Sequence, residues 1–360
     1  MSQKREVFSR AGHAGAQPEA VSAAQTQARG GLLGFFTAEP RRLPLAVVGL
    51  TVLLLLVALT FRRHATEIEL DATLSRVRFT ASVQEMLTPP LQLSALGVSG
   101  VRELEVPDAD DGAGSMSPTA TSDAPAVRLS AETVGGRHGT ITLARVGVPA
   151  GTTVEARRTE LAHQYRLSLS GAPVKFQADV DGPIRLDRSG ASTEHYDFET
   201  PSAIVFTAGP SAVHLDLTML ATSAIRFSPL QATGLSLVDV DDFTSESFAA
   251  VREVSTVLSG TLYFDELDGK ERKLRSGEML RLAGSTGEIR RLVLTDDGLA
   301  IEFHGRVSGM ATGSRQYGAD LMPTWFEWLA AQHGLTLLWG TTIYLFGIVY
   351  PALRWWMSTR

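Results

Sequence analysis

A mainly β region held between two transmembrane α-helices is the architecture this sequence predicts. Three observations carry the expectation. Two uncharged apolar runs, Leu43–Phe61 and Gly334–Leu353, lie near the two ends. Short segments of alternating apolar and polar residues fill the roughly 250 residues between them. Helical periodicity is rare in that middle, and Gly, Pro, Asp or Ser separates most segments. Strands at this spacing suggest an antiparallel β-sandwich or jelly roll, in one or two modules.

Residues 1–42 are rich in Ala, Gly, Gln and Ser and lack periodicity, which predicts a disordered cytoplasmic tail. The first run, LPLAVVGLTVLLLLVALTF, has nineteen residues without a charge. A bilayer core about 30 Å thick needs about 20 apolar helical residues. Pro44 is tolerated because the first helical turn needs no N–H there. A cleaved signal peptide fits poorly: a long segment precedes the run, and Arg62-Arg63-His64 follows where small residues should stand.

The middle region, 65–316, opens with Ile68, Leu70, Ala72 and Leu74 alternating with polar residues. Val77, Phe79, Ala81 and Val83 continue with the parity shifted by one, as a bulge or tight turn between two strands would produce. Residues 107–125 form a low-complexity loop. A seam between two modules is expected near 190–203. Phe243–Leu258, with Phe248, Val251 and Val254 at helical spacing, reads as the one helix of the region. Asp268-Gly269 signals a type I′ hairpin.

Residues 320–333 read as an interfacial helix after Pro323. The second run, 334–353, carries three Gly, three Thr and Pro351, so its apolar signal is weaker. Its surroundings strengthen it. Trp325, Trp328, Trp355 and Trp356 flank the run as an aromatic belt at the membrane interface. Thr336, Gly340, Tyr344 and Gly347 share one side at helical spacing, a small-residue face suited to helix–helix packing. Residues 354–360 are a short cytoplasmic tail.

Arginines near the spans divide evenly between the two sides. The second span breaks the tie, with Arg354 after it and only Arg315 in the twenty residues before it. The positive-inside rule then places the termini in the cytoplasm and the middle outside, a two-pass inner-membrane protein.

The chain has 360 residues, net charge −6 and no cysteine. That excludes disulfides, thiolate metal sites and cysteine nucleophiles. No basic patch interleaved with aromatics appears, so nucleic acid is not an expected partner. Nucleophile-elbow, phosphate-loop, dinucleotide and H-E-x-x-H motifs are all missing, and no cofactor is implied.

Three clusters could carry chemistry. Asp239, Asp241, Asp242 and Glu246 offer hard oxygen ligands for Ca²⁺, though the spacing is not that of an EF-hand. A solvated acidic turn capping the helix at 243 explains them equally. Glu194, His195 and Asp197, and separately His214 with Asp216, place a histidine beside carboxylates, as a general base requires. No catalytic residue can be named from them, because neither a nucleophile nor a metal can be placed.

The leading expectation is a membrane-anchored bacterial envelope protein with a β-rich binding or scaffold domain, an accessory subunit of a membrane assembly. Its partners would be the lipid bilayer and either an envelope protein or a second copy. An oligomeric two-span channel and a membrane-bound hydrolase of envelope polymer are the alternatives.

Overall fold

The computed structural model describes residues 61–344, except 88–90, 108–113, 117–126, 162, 190–192, 221–224, 228, 246–247, 296 and 314–317, with scattered residues beyond. Two compact units divide the chain. One is Leu59–Leu337, and the other combines Met1–Ala58 with Leu338–Arg360.

The first unit is mainly β. In chain order its strands begin with β1 (Thr66–Leu74), β2 (Arg76–Ala81), β3 (Glu85–Leu87), β4 (Leu91–Ser99) and β5 (Val101–Val106). Then come β6 (Gly114–Met116), β7 (Val127–Ala131), β8 (Thr133–Val134), β9 (Arg137–His138) and β10 (Thr140–Val148). The middle of the unit holds β11 (Thr153–Arg158), β12 (Gln164–Ser170), β13 (Val174–Arg188), β14 (Glu194–Ala208) and β15 (Val213–Met219). It continues with β16 (Ile225–Phe227), β17 (Leu230–Ser236), β18 (Val238–Ser245), β19 (Phe248–Ser255), β20 (Val257–Phe264) and β21 (Lys270–Leu274). The last strands are β22 (Leu280–Ala283), β23 (Thr286–Thr295), β24 (Gly298–Val307), β25 (Gly309–Thr312) and β26 (Ala319–Asp320). Helices α1 (Trp325–Ala331) and α2 (Gly334–Tyr344) follow.

Nineteen of these strands join one antiparallel sheet. Its path runs β21–β20–β1–β24–β23–β17–β2–β11–β12–β15–β4. Beyond β4, β7 and β10 each take part of its length, and both pair onward with β13, which leads to β14, β5 and β6. Period-two alternation fixes which face is inside. In β1 every second residue from Thr66 to Leu74 is buried, and β15 buries Val213, Leu215, Leu217 and Met219 likewise. These side chains meet in one apolar cluster, with Phe176 stacked on Phe206 at 4.7 Å inside it.

Several expectations change. Phe243–Leu258 is not a helix: β18 and β19 form a hairpin, Ser245 pairing with Phe248. Its Val, Thr and Phe residues favour strands, and three apolar positions at helical spacing are too few to outweigh them. The parity shift after β1 falls at a bend between two strands, next to a register irregularity between Thr73 and Leu74. Only Ser75 separates β1 from β2, which pair with different neighbours. Within the stretch 190–203, where a seam is expected, Glu194 begins a single strand that runs to Ala208 paired along β13. The Asp268-Gly269 hairpin exists, but its loop also holds a 3-10 turn, Asp265–Leu267. Asp268 and Gly269 both take the left-handed backbone expected of them. The low-complexity stretch contains β6, paired with β5, and otherwise lies largely outside the described residues.

Candidate functional site

The chain enters and leaves the β-rich unit at adjacent points. Arg62 and Thr324 form an antiparallel bridge. The Arg63 amide donates to the Pro323 carbonyl at 3.0 Å, and the Trp325 amide donates to the Phe61 carbonyl at 3.1 Å. Backbone hydrogen bonds thus stitch 61–63 to 323–325.

Side chains reinforce this neck. The Arg62 guanidinium lies 3.0 Å from Asp320 and also donates to the Met322 carbonyl. Arg63 pairs with Glu266, which accepts a second hydrogen bond from Thr66 at 3.1 Å. The same guanidinium sits 4.9 Å from the Trp328 ring centroid and 5.6 Å from that of Trp325. Cation–π contacts of this kind contribute about 0.5–2 kcal/mol, more as water is excluded. The two indoles meet edge to face at 5.7 Å.

The Thr324 hydroxyl accepts from the Glu327 amide to cap α1, and the Glu327 carboxylate accepts from the Thr324 amide, a capping box. That amide hydrogen bond, together with Lys270 at 3.1 Å, outweighs desolvation and holds the Glu327 carboxyl below its ordinary pKa. Thr-x-x-Glu after a proline is a signal the sequence displays. The partners of Arg62 and Arg63, some 200 residues and more away, have no local signature.

Among the calcium candidates, Asp239 is engaged elsewhere. Asp239 pairs with Arg76, and Val240 donates its amide to it at 2.7 Å. Along β18 the backbone of Asp241 pairs with Arg252 and that of Asp242 with Val251. Glu246 lies outside the described residues. Among the described residues no group of three metal-ligating side chains gathers.

Glu194, His195 and Asp197 disperse in the same way. Glu194 meets Arg188 and the Tyr196 hydroxyl, His195 meets Glu132 at 2.9 Å, and Asp197 meets Arg137 at 3.0 Å. On the proposed packing face, Thr336, Gly340, Tyr344 and Gly347 are all exposed. A Cβ at Gly340 or Gly347 would meet nothing within 4 Å among the described residues. Trp325 and Trp328 belong to the neck, Trp355 is exposed, and Trp356 lies outside the described residues. Among the described residues no helix is long and apolar enough to cross a membrane.

A second place contains His214 and Asp216, the pair singled out from the sequence, but most of its residues carry no local signal. The outward faces of β2, β11, β12 and β15 form a polar groove of about 460 Å³. One cross-strand row is Arg78–Glu155–Ser168–His214, and the next is Arg76–Arg157–Arg166–Asp216. Ser168 Oγ lies 2.8 Å from His214 Nδ1, a nucleophile beside a base. No carboxylate stands behind that histidine among the described residues. Asp216 is committed to Arg166, which grips it with Nε at 2.5 Å and Nη2 at 2.9 Å. The groove therefore has the parts of a binding surface more than those of a triad. Compared with known proteins, the chain matches no family model, no curated protein and no solved structure.

Proposed function

We propose that this is a membrane-anchored envelope protein whose β-rich unit is a binding or scaffold domain displayed outside the inner membrane, serving a membrane assembly as an accessory subunit. The neck carries this reading. Backbone pairing sets Phe61, the end of the first apolar run, beside Trp325, nine residues before the second run, so both runs join the β-rich unit through one neck. A shared neck suits attachment of both runs to one bilayer. Arg63 between two indoles suits the headgroup level, where amphipathic rings and cations reside.

Large apolar side chains toward both ends add support. Leu53, Leu56, Val57, Trp339, Ile343 and Trp355 are exposed, Trp339 by 64% and Ile343 by 67%. Each would be costly in water at about 25 cal/mol per Å² of apolar surface, and lipid removes that cost. The open face at Thr336, Gly340, Tyr344 and Gly347 suits a partner helix or a second copy. A sandwich-like closure of the curled sheet would leave its outer polar faces for ligands.

Alkaline carbonate washing of membranes from cells expressing the full chain tests the anchoring. The protein is expected in the pellet, and recovery in the wash would sink the anchored reading. Protease added to intact spheroplasts should degrade the β-rich unit, and its survival would reverse the orientation.

A further inference from the structure

We infer that the groove across β2, β11, β12 and β15 is a binding site for a phosphate group carried on a small ester or within a polyphosphate chain. The inference deepens the reading of the β-rich unit as a binding domain and is independent of its anchoring.

The charge arrangement carries it. Arg78 and Arg157 are exposed and line the same groove. Neither has a carboxylate within ion-pair distance among the described residues, although the chain is acidic overall and most of its neck cations are paired. The nearby carboxylates are already engaged: Glu155 by Arg76 at 2.8 Å, and Asp216 by Arg166 through two hydrogen bonds. What remains in the groove is a surplus of donors: two guanidiniums plus the hydroxyls of Thr153 and Ser170.

Geometry favours phosphate within the oxyanion class. Arg157 opposes Arg76, two residues from Arg78, so the two free arginines are diagonal neighbours on β2 and β11. Diagonal positions lie about 7–8 Å apart, within the convergence of two long side chains. One arginine fork already satisfies a planar carboxylate. A tetrahedral phosphate presents further oxygens to a second fork and to hydroxyls. None of the residues lining the groove is Phe, Tyr or Trp, so a sugar ring would find no large aromatic platform.

The test titrates the full-length protein in neutral detergent with inorganic phosphate, glycerol phosphate and linear polyphosphate, reading heat and melting temperature. Saturable binding of glycerol phosphate with little gain from polyphosphate identifies a small ester. A large gain from polyphosphate identifies a chain. Either supports the site, provided the single variants Arg78→Gln and Arg157→Gln each weaken binding about tenfold, as loss of a charge-assisted hydrogen bond predicts. Both positions are exposed, so the variants should melt as wild type without ligand. Arg306→Gln, exposed on β24 outside the groove, should bind normally. Absence of saturable binding, or binding unchanged in Arg78→Gln/Arg157→Gln, would overturn the proposal. The spheroplast and carbonate experiments do not bear on this result.

Discussion

Glu278 is the residue whose environment makes the sharpest demand. It accepts hydrogen bonds from Arg272 at 2.7 Å, from the Arg275 amide at 3.1 Å and from Thr312 at 2.9 Å. Burial alone would raise its pKa, but these donors outweigh burial, and the carboxyl lies below its ordinary 4.5. A depressed carboxylate contributes stability that is fully present above the unfolded value and is lost as pH falls through the folded one. Stability should therefore be flat near neutrality and decline below about pH 4.5. Glu278→Gln should cost about 1–2 kcal/mol at pH 7, where its three donors lose a charged acceptor, and should shrink the difference between pH 7 and pH 3.5. Urea unfolding at both pH values checks this. An equal acid loss in the variant would show that other carboxylates dominate. Glu278 has no local signature, because Thr312 reaches it through the pairing of β22 with β25.

Elements show where sequence was readable and where it was not. Alternation in β1 and β15 displays buried positions directly, because a half-buried strand needs period two. The β18–β19 hairpin misleads, since its apolar residues also fit helical spacing and the sequence between its strands holds neither glycine nor proline. Pairing partners are invisible, since β1 and β24 are joined by chemistry far apart in the chain. The β23–β24 hairpin is close-packed at one such unseen point. Gly287 and Gly305 are Cα partners, and a Cβ on Gly305 would lie 2.5 Å from the Thr286 carbonyl and 2.7 Å from the Gly287 Cα. Neither neighbour is a flexible side-chain end. Gly305→Ala should therefore force the strands apart and destabilise by roughly 1–3 kcal/mol. The exposed Gly269→Ala comparison is unsuitable because its φ is +70°, whereas Gly305 needs no special backbone. Denaturation of Gly305→Ala at wild-type stability would mean the hairpin relaxes without cost.

At the scale of the whole chain, the neck and the sheet close the same loop. β1 follows the neck directly, yet it lies between β20 and β24, strands that come some 200 residues later. The start of the unit is thus embedded in its end. Sequence displayed the apolar runs and tryptophans on either side of the neck, because membrane signals are compositional and local. It could not display the groove, whose two rows of side chains come from four strands. The embedding makes a prediction about autonomy. Residues 59–337 contain the sheet, the apolar cluster and the neck contacts, so this fragment should fold without either apolar run. Circular dichroism should show a β spectrum and a single cooperative melt. Removing 59–74 as well should abolish the melt. β20 and β24 would each lose the hydrogen bonds of one edge, and the cluster would lose Ile68, Leu70 and Leu74, at about 2–5 kcal/mol for each large side chain. That total exceeds the 5–15 kcal/mol by which a domain is ordinarily stable once the lost pairing is added. A 75–337 fragment that melts cooperatively at the same temperature would show that the neck strand is peripheral, and with it that the chain's two ends are not tied through the sheet.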